Sequence, residues 1–470
     1  MVSITQDTPN QSNSHLWYGV LTVLFLAGFA SAIVAGALQP AEAGAFHLLD
    51  VLGGVKAFCA IVVGIGLLLL LMHYAEAALA LFFLVGLVKG DPSLAAAPVD
   101  LTVLTATILA MTVVWKLLTS ERVTTLPREY FLYLPLLAMM VISLSYTPNF
   151  SAGLEKVLRF ICLTGIGIVA PFILIDSAAK MRRCLYVLVI GGIALAFNSL
   201  TMLGDSQRFV APSGLNTELG AASAVALIIL WGLAFPRLSF GYRLLFYPIL
   251  GVLVVALLGS GGRFANVSTA LCVVIGALMC RRLLKDLAVL GGIALISLPL
   301  VLIPSASYQY LESLRHPTMA MGTRNDLMWL GLKVFLAHPL LGVGVDGFRF
   351  VSPNPITYNF PHNLILELGA EMGVIAALSF VLIAFSSFRE AIRQLLIADG
   401  FDAELTRTVF LLLIYATLDS MISGDMNDLR FTWFVLGLPF VLRILRADSL
   451  FYASPALETA DEVSPDATPA

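Results

Sequence analysis

Residues Leu364–Phe388 read LILELGAEMGVIAALSFVLIAFSSF, twenty-five positions holding two carboxylates and no Lys or Arg. A bilayer core asks for about 20 apolar residues per helix, so this stretch is long enough to cross it. The rest of the chain has the same character. Its 470 residues are 59% hydrophobic and 12% charged, with a mean hydropathy of +0.93. Soluble domains have about 45–50% apolar residues and about 25% charged ones. Too few charges are present to cover so much apolar surface in water, and the expected class is an all-α integral membrane protein.

Other candidate spans are Leu16–Leu38, Leu52–Leu71, Leu101–Leu118, Val157–Ile175, Leu185–Leu203, Leu219–Phe235, Phe264–Cys280 and Leu287–Ile303. Shorter ones are Ala75–Val88, Tyr130–Leu144, Leu244–Leu258, Val409–Ile422 and Phe431–Leu445. Together they predict about fourteen transmembrane helices and one large periplasmic loop containing short helices. Residues 1–15 read as a cytoplasmic N-terminus, 16–303 as helices one to eleven, and 304–361 as the loop. Residues 362–447 then hold helices twelve to fourteen, and 448–470, rich in Ala, Pro, Asp and Glu, a disordered cytoplasmic tail. No Lys or Arg precedes Leu16, so the first span lacks the charged start of a signal peptide and reads as retained.

Charge placement sets the direction. With both termini cytoplasmic, the inner connections hold sixteen of the 27 basic residues, in groups around Lys116, Lys180, Arg237, Arg281, Arg389 and Arg443. The positive-inside rule requires that bias. The outer face keeps a smaller set that includes Lys156, Arg159, Arg208, Arg263, Arg324, Arg349 and Arg430. The net charge of −3 offers no basic excess for nucleic acid. The five cysteines lie in apolar runs without CxxC spacing and read as small hydrophobes.

Three outer segments carry chemistry. Gly259-Ser260-Gly261-Gly262-Arg263 opens a helix, where free backbone N–H groups and a guanidinium suit a phosphate; the plainer alternative is a cap whose arginine snorkels to headgroups. Thr323-Arg324-Asn325-Asp326-Leu327-Met328-Trp329 begins a helix with Leu327, Leu330 and Val334 on one face, and leads to His338-Pro339-Leu340-Leu341-Gly342-Val343-Gly344. An interfacial helix with Arg324 on lipid phosphate is the alternative there. Pro361-His362-Asn363-Leu364 stands at the mouth of the span quoted first. His362 is suited to take a proton from a hydroxyl near neutral pH, Asn363 to orient it or bind a sugar, and Glu367 and Glu371 are acids that a membrane helix must pair or use. No P-loop, HExxH or Gly-x-Ser-x-Gly is present. Asp425 and Asp428 alone make a poor metal site, an ion pair with Arg430 is the expectation, and neither metal nor cofactor is expected.

At these residues the sequence resembles the O-antigen ligase and O-antigen polymerase family, the WaaL- and Wzy-like polytopic glycosyltransferases. The resemblance is strongest from Gly259 to Gly373: arginine before a span, Arg324-Asn325-Asp326-Leu327-Met328-Trp329, His338 to Gly344, and His362-Asn363-Leu364 leading to Glu371-Met372-Gly373. It departs at Ser260-Gly261-Gly262-Arg263-Phe264, where the family more often has serine directly before the arginine. The resemblance implies an inverting, metal-independent glycosyltransferase of the bacterial inner membrane, working on the periplasmic side. Its donor would be a glycan on undecaprenyl pyrophosphate, and its acceptor a second lipid-linked glycan or lipid A core. Membrane lipids and a chain-length regulator protein are the further partners expected. On this reading Arg263, Arg324 and His362 are catalytic, and Arg159, Arg208, Asn363, Glu367 and Arg430 bind substrate. Fourteen spans lean towards polymerase over ligase in O-antigen or exopolysaccharide assembly. A polytopic transporter or flippase of lipid-linked sugars is the main alternative, although no internal repeat is seen and the charges gather at one face. A structural membrane partner is a third.

In a cysteine-free background, cysteines introduced at Ser313 and Asn354 should be labelled by an impermeant reagent in intact cells, and one at Ala398 should not. Labelling at Ala398 would reverse the orientation.

Overall fold

A backbone inside hydrocarbon must satisfy its own hydrogen bonds, which favours helices. The computed structural model describes residues 66, 68–86, 101–120, 126–201, 216–302, 317–352, 359–398, 403–422 and 425–461, and among these it contains helices and no strand. The chain divides into two compact units, Met1–Tyr74 and Ala75–Ala470. Of the first unit, 68–73 are helical. Leu16–Leu38, Arg208 and parts of the long loop and tail lie outside the described residues.

In the second unit the helices are α1 (Ala75–Val85), α2 (Leu101–Thr119), α3 (Tyr133–Ser143), α4 (Phe150–Arg159), α5 (Gly165–Leu174), α6 (Ala178–Thr201) and α7 (Asn216–Ile229). There follow α8 (Phe240–Gly259), α9 (Arg263–Met279), α10 (Leu284–Leu302), α11 (Pro317–Ala337), α12 (Phe348–Val351), α13 (Leu364–Leu396), α14 (Ala403–Ser420) and α15 (Arg430–Asp461). Six stretches of the described residues are long and apolar enough to cross a membrane: Leu101–Thr119, Phe150–Leu174, Ala178–Leu200, Thr217–Arg237, Gly241–Gly259 and Leu364–Leu396. Ala75–Val85 and Arg263–Met279 are shorter apolar helices. The protein is thus an all-helical, multi-pass membrane protein.

The boundaries differ from the sequence reading where polar caps extend a helix. The expected span from Val157 begins at Phe150, because Asn149 Oδ1 accepts from Ala152 N at 3.2 Å and starts α4 seven residues earlier. The chain then passes from α4 into α5 through one wide π turn, Phe160–Thr164. The loop helix begins at Pro317, where proline's missing N–H is no loss in a first turn. α15 runs to Asp461, past residue 448, where an unstructured tail was expected.

α13 lies at the centre, against α3, α11, α14 and α15. Trp433 of α15 is fully buried there, its ring edge-to-face with Phe160 at 5.4 Å and Phe380 at 5.3 Å. Its indole N–H donates to Met426 O at 3.0 Å. Threonine hydroxyls in α2 bond back to carbonyls one turn earlier, as Thr112 does to Ile108 at 2.8 Å, so they add no unpaired donors.

Many of the basic residues assigned to the inner connections are paired. Arg443 binds Glu129 at 2.7 Å, Arg243 binds Asp286 at 2.6 Å, and Arg237 binds Glu404 at 3.2 Å. Lys116 and Lys180 share Asp176, and Arg183 holds the buried Glu76 at 2.6 Å. One end of the bundle is therefore a belt of ion pairs.

Candidate active site

The opposite end is built around a break in α13. Gly373 has φ 81° and ψ −173°, so the helix stops and restarts there. The break deprives the Ala370 and Glu371 carbonyls of their usual partners four residues on. The loop after α11 replaces them: Val343 N donates to Ala370 O at 2.8 Å and Gly344 N to Glu371 O at 2.9 Å. In return Val374 N donates to Pro339 O at 2.8 Å. Gly342, at φ 67°, lies against the Glu371 carbonyl with no room for a Cβ, and a Cβ at Gly373 would collide with the Leu340 carbonyl. The two motifs His338–Gly344 and Glu371–Gly373 are thus halves of one backbone joint. Tyr146 and Thr147 clamp it from the other side, their hydroxyls donating to Leu341 O at 2.5 Å and Val345 O at 2.6 Å.

Under this joint lies a buried ion triad. Lys156 of α4 reaches Glu367 Oε1 at 2.7 Å and Glu371 Oε2 at 2.9 Å, with both carboxylates fully buried. Glu371 Oε2 also accepts from Asp346 N at 3.0 Å, and Glu367 Oε1 from Met426 N at 3.4 Å. Asn427 Nδ2 donates to the Lys156 carbonyl at 3.1 Å. Glu367, expected at a substrate surface, instead faces inward to Lys156. The reason is its one-turn spacing from Glu371, which puts both acids on the face that meets α4.

His362 stands at the mouth of α13 with φ 56°, its ring 4.5 Å from Phe360. Burial lowers the imidazole to about 4, and the charge of Arg324 adds to the effect. Nδ1 is buried without a partner. α11 carries Arg324 past this point: Leu327 and Val334 are buried with Phe348 and Ala370, and Gly331 lies so close to Pro361 that a Cβ there would sit 2.9 Å from it. Arg324 and His362 therefore share one site. Asn363 is used locally. Its Oδ1 caps α13 through Leu366 N at 3.0 Å, and its amide donates to Met421 O at 3.1 Å.

Arg263 reaches the same end by topology. Arg237 and Glu404 pair at the opposite end, and α8 and α14 both start from there and run the same way. Arg263, just past the end of α8, thus stands at the end of Ser420 and Met421, where Asn363 docks. The turn before it has Gly261 at φ 66° and Ser260 Oγ accepting from Gly262 N at 3.3 Å. Arg159 and Arg430 gather elsewhere on this end, both acting on the charge of Asp428. Arg430 Nε donates to Asn427 O at 3.1 Å, and its guanidinium lies 5.9 Å from the Phe82 ring centre. Asp425 folds the loop, its Oδ1 accepting from the Asn427 and Asp428 amides at 2.8 and 2.9 Å. Arg208 lies outside the described residues. Among the described residues no cluster of three or more His, Cys, Asp or Glu is arranged to hold a metal.

Sequence reasoning missed two residues, Lys156 as a partner and Asp346. The acid pair in α13 signalled that a cation was needed, but the lysine lies 211 residues from Glu367. Asp346, buried at φ 60° and paired with Arg349 at 2.9 Å, was signalled only by its glycine neighbours.

A multi-pass helical protein with an Arg–His site at one end of its bundle is the class defined so far. Residues 248–381 match the family model Wzy_C, described as O-antigen ligase, and over that segment the resemblance to O-antigen ligases holds. The segment contains Arg263, Arg324, the joint at Gly342 and Gly373, and His362, while Lys156, Arg159 and Arg430 lie outside it. No curated protein matches the chain.

Gly373→Ala should lower the melting temperature of the purified protein, since a positive φ alone costs of order 1–3 kcal/mol in a non-glycine residue and the new methyl displaces the loop. An unchanged melting curve would show that the joint is not strained as described.

Proposed function

We propose that the protein transfers a glycan from undecaprenyl pyrophosphate to an acceptor hydroxyl on the periplasmic side of the inner membrane, with inversion at the anomeric carbon and without a metal. The observation that carries this reading is the meeting of Arg324 and His362 at the mouth of a membrane helix, within the segment that matches O-antigen ligases. Breaking the sugar–phosphate bond gathers negative charge on the pyrophosphate. Fixed guanidinium groups in a low-dielectric site stabilise such charge. Arg324 and Arg263 take that role, and Arg159, Arg208 and Arg430 guide the donor.

His362 takes the acceptor's proton. Held at about 4 by burial and then by Arg324, its imidazole is neutral at physiological pH and free to accept. Its basicity is low while Arg324 is unopposed. A bound pyrophosphate offsets that charge, so the base strengthens when the donor is in place.

His362→Ala should lower transfer by about 10²–10⁴-fold, the usual worth of general-base help, with protein level and donor binding retained. Arg263→Lys and Arg324→Lys keep charge but lose the planar fork, and should still impair transfer if the grip is bidentate. Near wild-type transfer by purified His362→Ala would remove the base assignment. On gels of surface polysaccharide from a deletion strain, lipid A bearing single repeats indicates a polymerase. Bare lipid A with retained lipid-linked polymer indicates a ligase.

The pH profile gives a separate check. The acid limb of kcat/KM, which reports the free enzyme, should fall near pH 4 and not near 6.5, because the base is lost only as His362 gains a proton. Arg324→Gln should move that limb upward, and an unmoved limb would separate the two residues.

A further inference from the structure

Arg159, Arg430 and His362 sit on separate segments, and one buried side chain ties those segments together. We infer that Lys156 is the positioning residue of the site: it fixes Arg159 and Arg430 relative to His362 without touching substrate. The inference rests on the proposed glycan transfer and identifies what holds that site in register.

Four segments meet at Lys156. It belongs to α4, three residues before Arg159. Through Glu367 at 2.7 Å it holds the first turn of α13, which begins just after His362. Through Glu371 at 2.9 Å it holds the loop of Asp346, whose amide donates to the same carboxylate oxygen. Its own carbonyl accepts from Asn427, and Asn427 O in turn accepts from Arg430 Nε. Arg159, Arg430 and His362 are thus each a few residues from an atom bonded to Lys156 or to its partners.

The stoichiometry makes the arrangement depend on the lysine. One ammonium serves two carboxylates a helical turn apart, and Glu367 Oε2, Glu371 Oε1 and Asp346 Oδ2 have no other partner. Without Lys156 the two buried acids face each other with only the Asp346 and Met426 amides as donors, and the ion pairs from α4 to α13 are lost. The ion pairs at the other end of the bundle, such as Arg443 with Glu129, join helices far from the Arg–His site. The Lys156 triad lies within a turn or two of His362, and the Asp346–Arg349 pair adjoins it through the Asp346 amide.

The test uses the full chain in proteoliposomes with a synthetic polyprenyl-pyrophosphate oligosaccharide as donor. Lys156→Met alone strands two buried carboxylates and is expected to melt early, so the deciding variant is Lys156→Met/Glu367→Gln/Glu371→Gln, which leaves no buried charge in the triad. It should melt within about 5 °C of wild type and keep its donor KM within about threefold, while kcat falls at least about tenfold, since misplacement by 1 Å can cost about 10²-fold. Recovery of wild-type kcat together with the melting temperature would mean that the triad serves folding alone, and would overturn the inference. If the triple variant does not fold, Lys156→Arg moves the charge along a longer, forked side chain. A kcat loss at unchanged KM then supports the inference, and unchanged kcat overturns it. His362→Ala, assayed alongside, separates the two readings. Full activity there defeats the transfer reading itself, whereas an inactive His362→Ala beside an active triple variant defeats only the role of Lys156.

Discussion

An ammonium buried between two carboxylates holds the functional end of this protein together. Desolvating three charges is costly, and such a group is tolerated only where the geometry is close and the remaining lone pairs find donors. Here the Lys156 Nζ contacts are 2.7 and 2.9 Å, and two backbone amides from distant loops donate to the same carboxylate oxygens, while Glu367 Oε2 and Glu371 Oε1 are buried without a partner. Removing one partner of a buried pair generally costs about 3–5 kcal/mol, because the survivor is left uncompensated. The loops that supply those amides are the ones that lead to Arg349 and Arg430, so the triad and the placement of those arginines are linked.

The break at Gly373 follows from the same economy of polar groups. A membrane helix cannot leave carbonyls unpaired in a water-poor interior, so an interrupted helix needs a second strand of backbone to fill the gap. Residues 339–344 supply it, and the exchange runs both ways. Interrupted helices also occur in transporters; here the loop backbone pairs with Ala370 O, Glu371 O and Val374 N across the gap. Its effect is to lock the loop after α11, and with it Arg324, onto the first half of α13 that begins beside His362.

At one end of the bundle the cations Arg443, Arg243, Arg237, Lys116 and Lys180 are matched by Glu129, Asp286, Glu404 and Asp176. At the other end Arg324 lies close enough to depress a histidine, and Arg159 and Arg430 crowd one aspartate. An anion beside Arg324 would offset the lesser of the two influences on His362, burial being the greater.

Much of this was legible in the sequence. Hydropathy and helical period are local properties, so Leu364–Phe388 declared itself a span, and the apolar positions Leu327 and Val334 declared the buried face of α11. Charge bias along the chain separated the two ends, and it isolated Arg263, Arg324 and His362 as the residues worth attention. The pairings were not legible. Glu367 gave every sign of needing a partner, but Lys156 is 211 residues away, and only the packing of α4 on α13 selects it. Asn363 looked available for a substrate until the fold showed its amide capping one helix and docking on another. That Gly342 and Gly373 belong to a single joint, and that Arg324 alters the basicity of His362, depends on distances between segments that no local pattern encodes. Sequence set which segments enter the membrane, because transfer energy is counted residue by residue. Tertiary structure decided which charges meet, because Coulomb energy and hydrogen bonding are counted pair by pair.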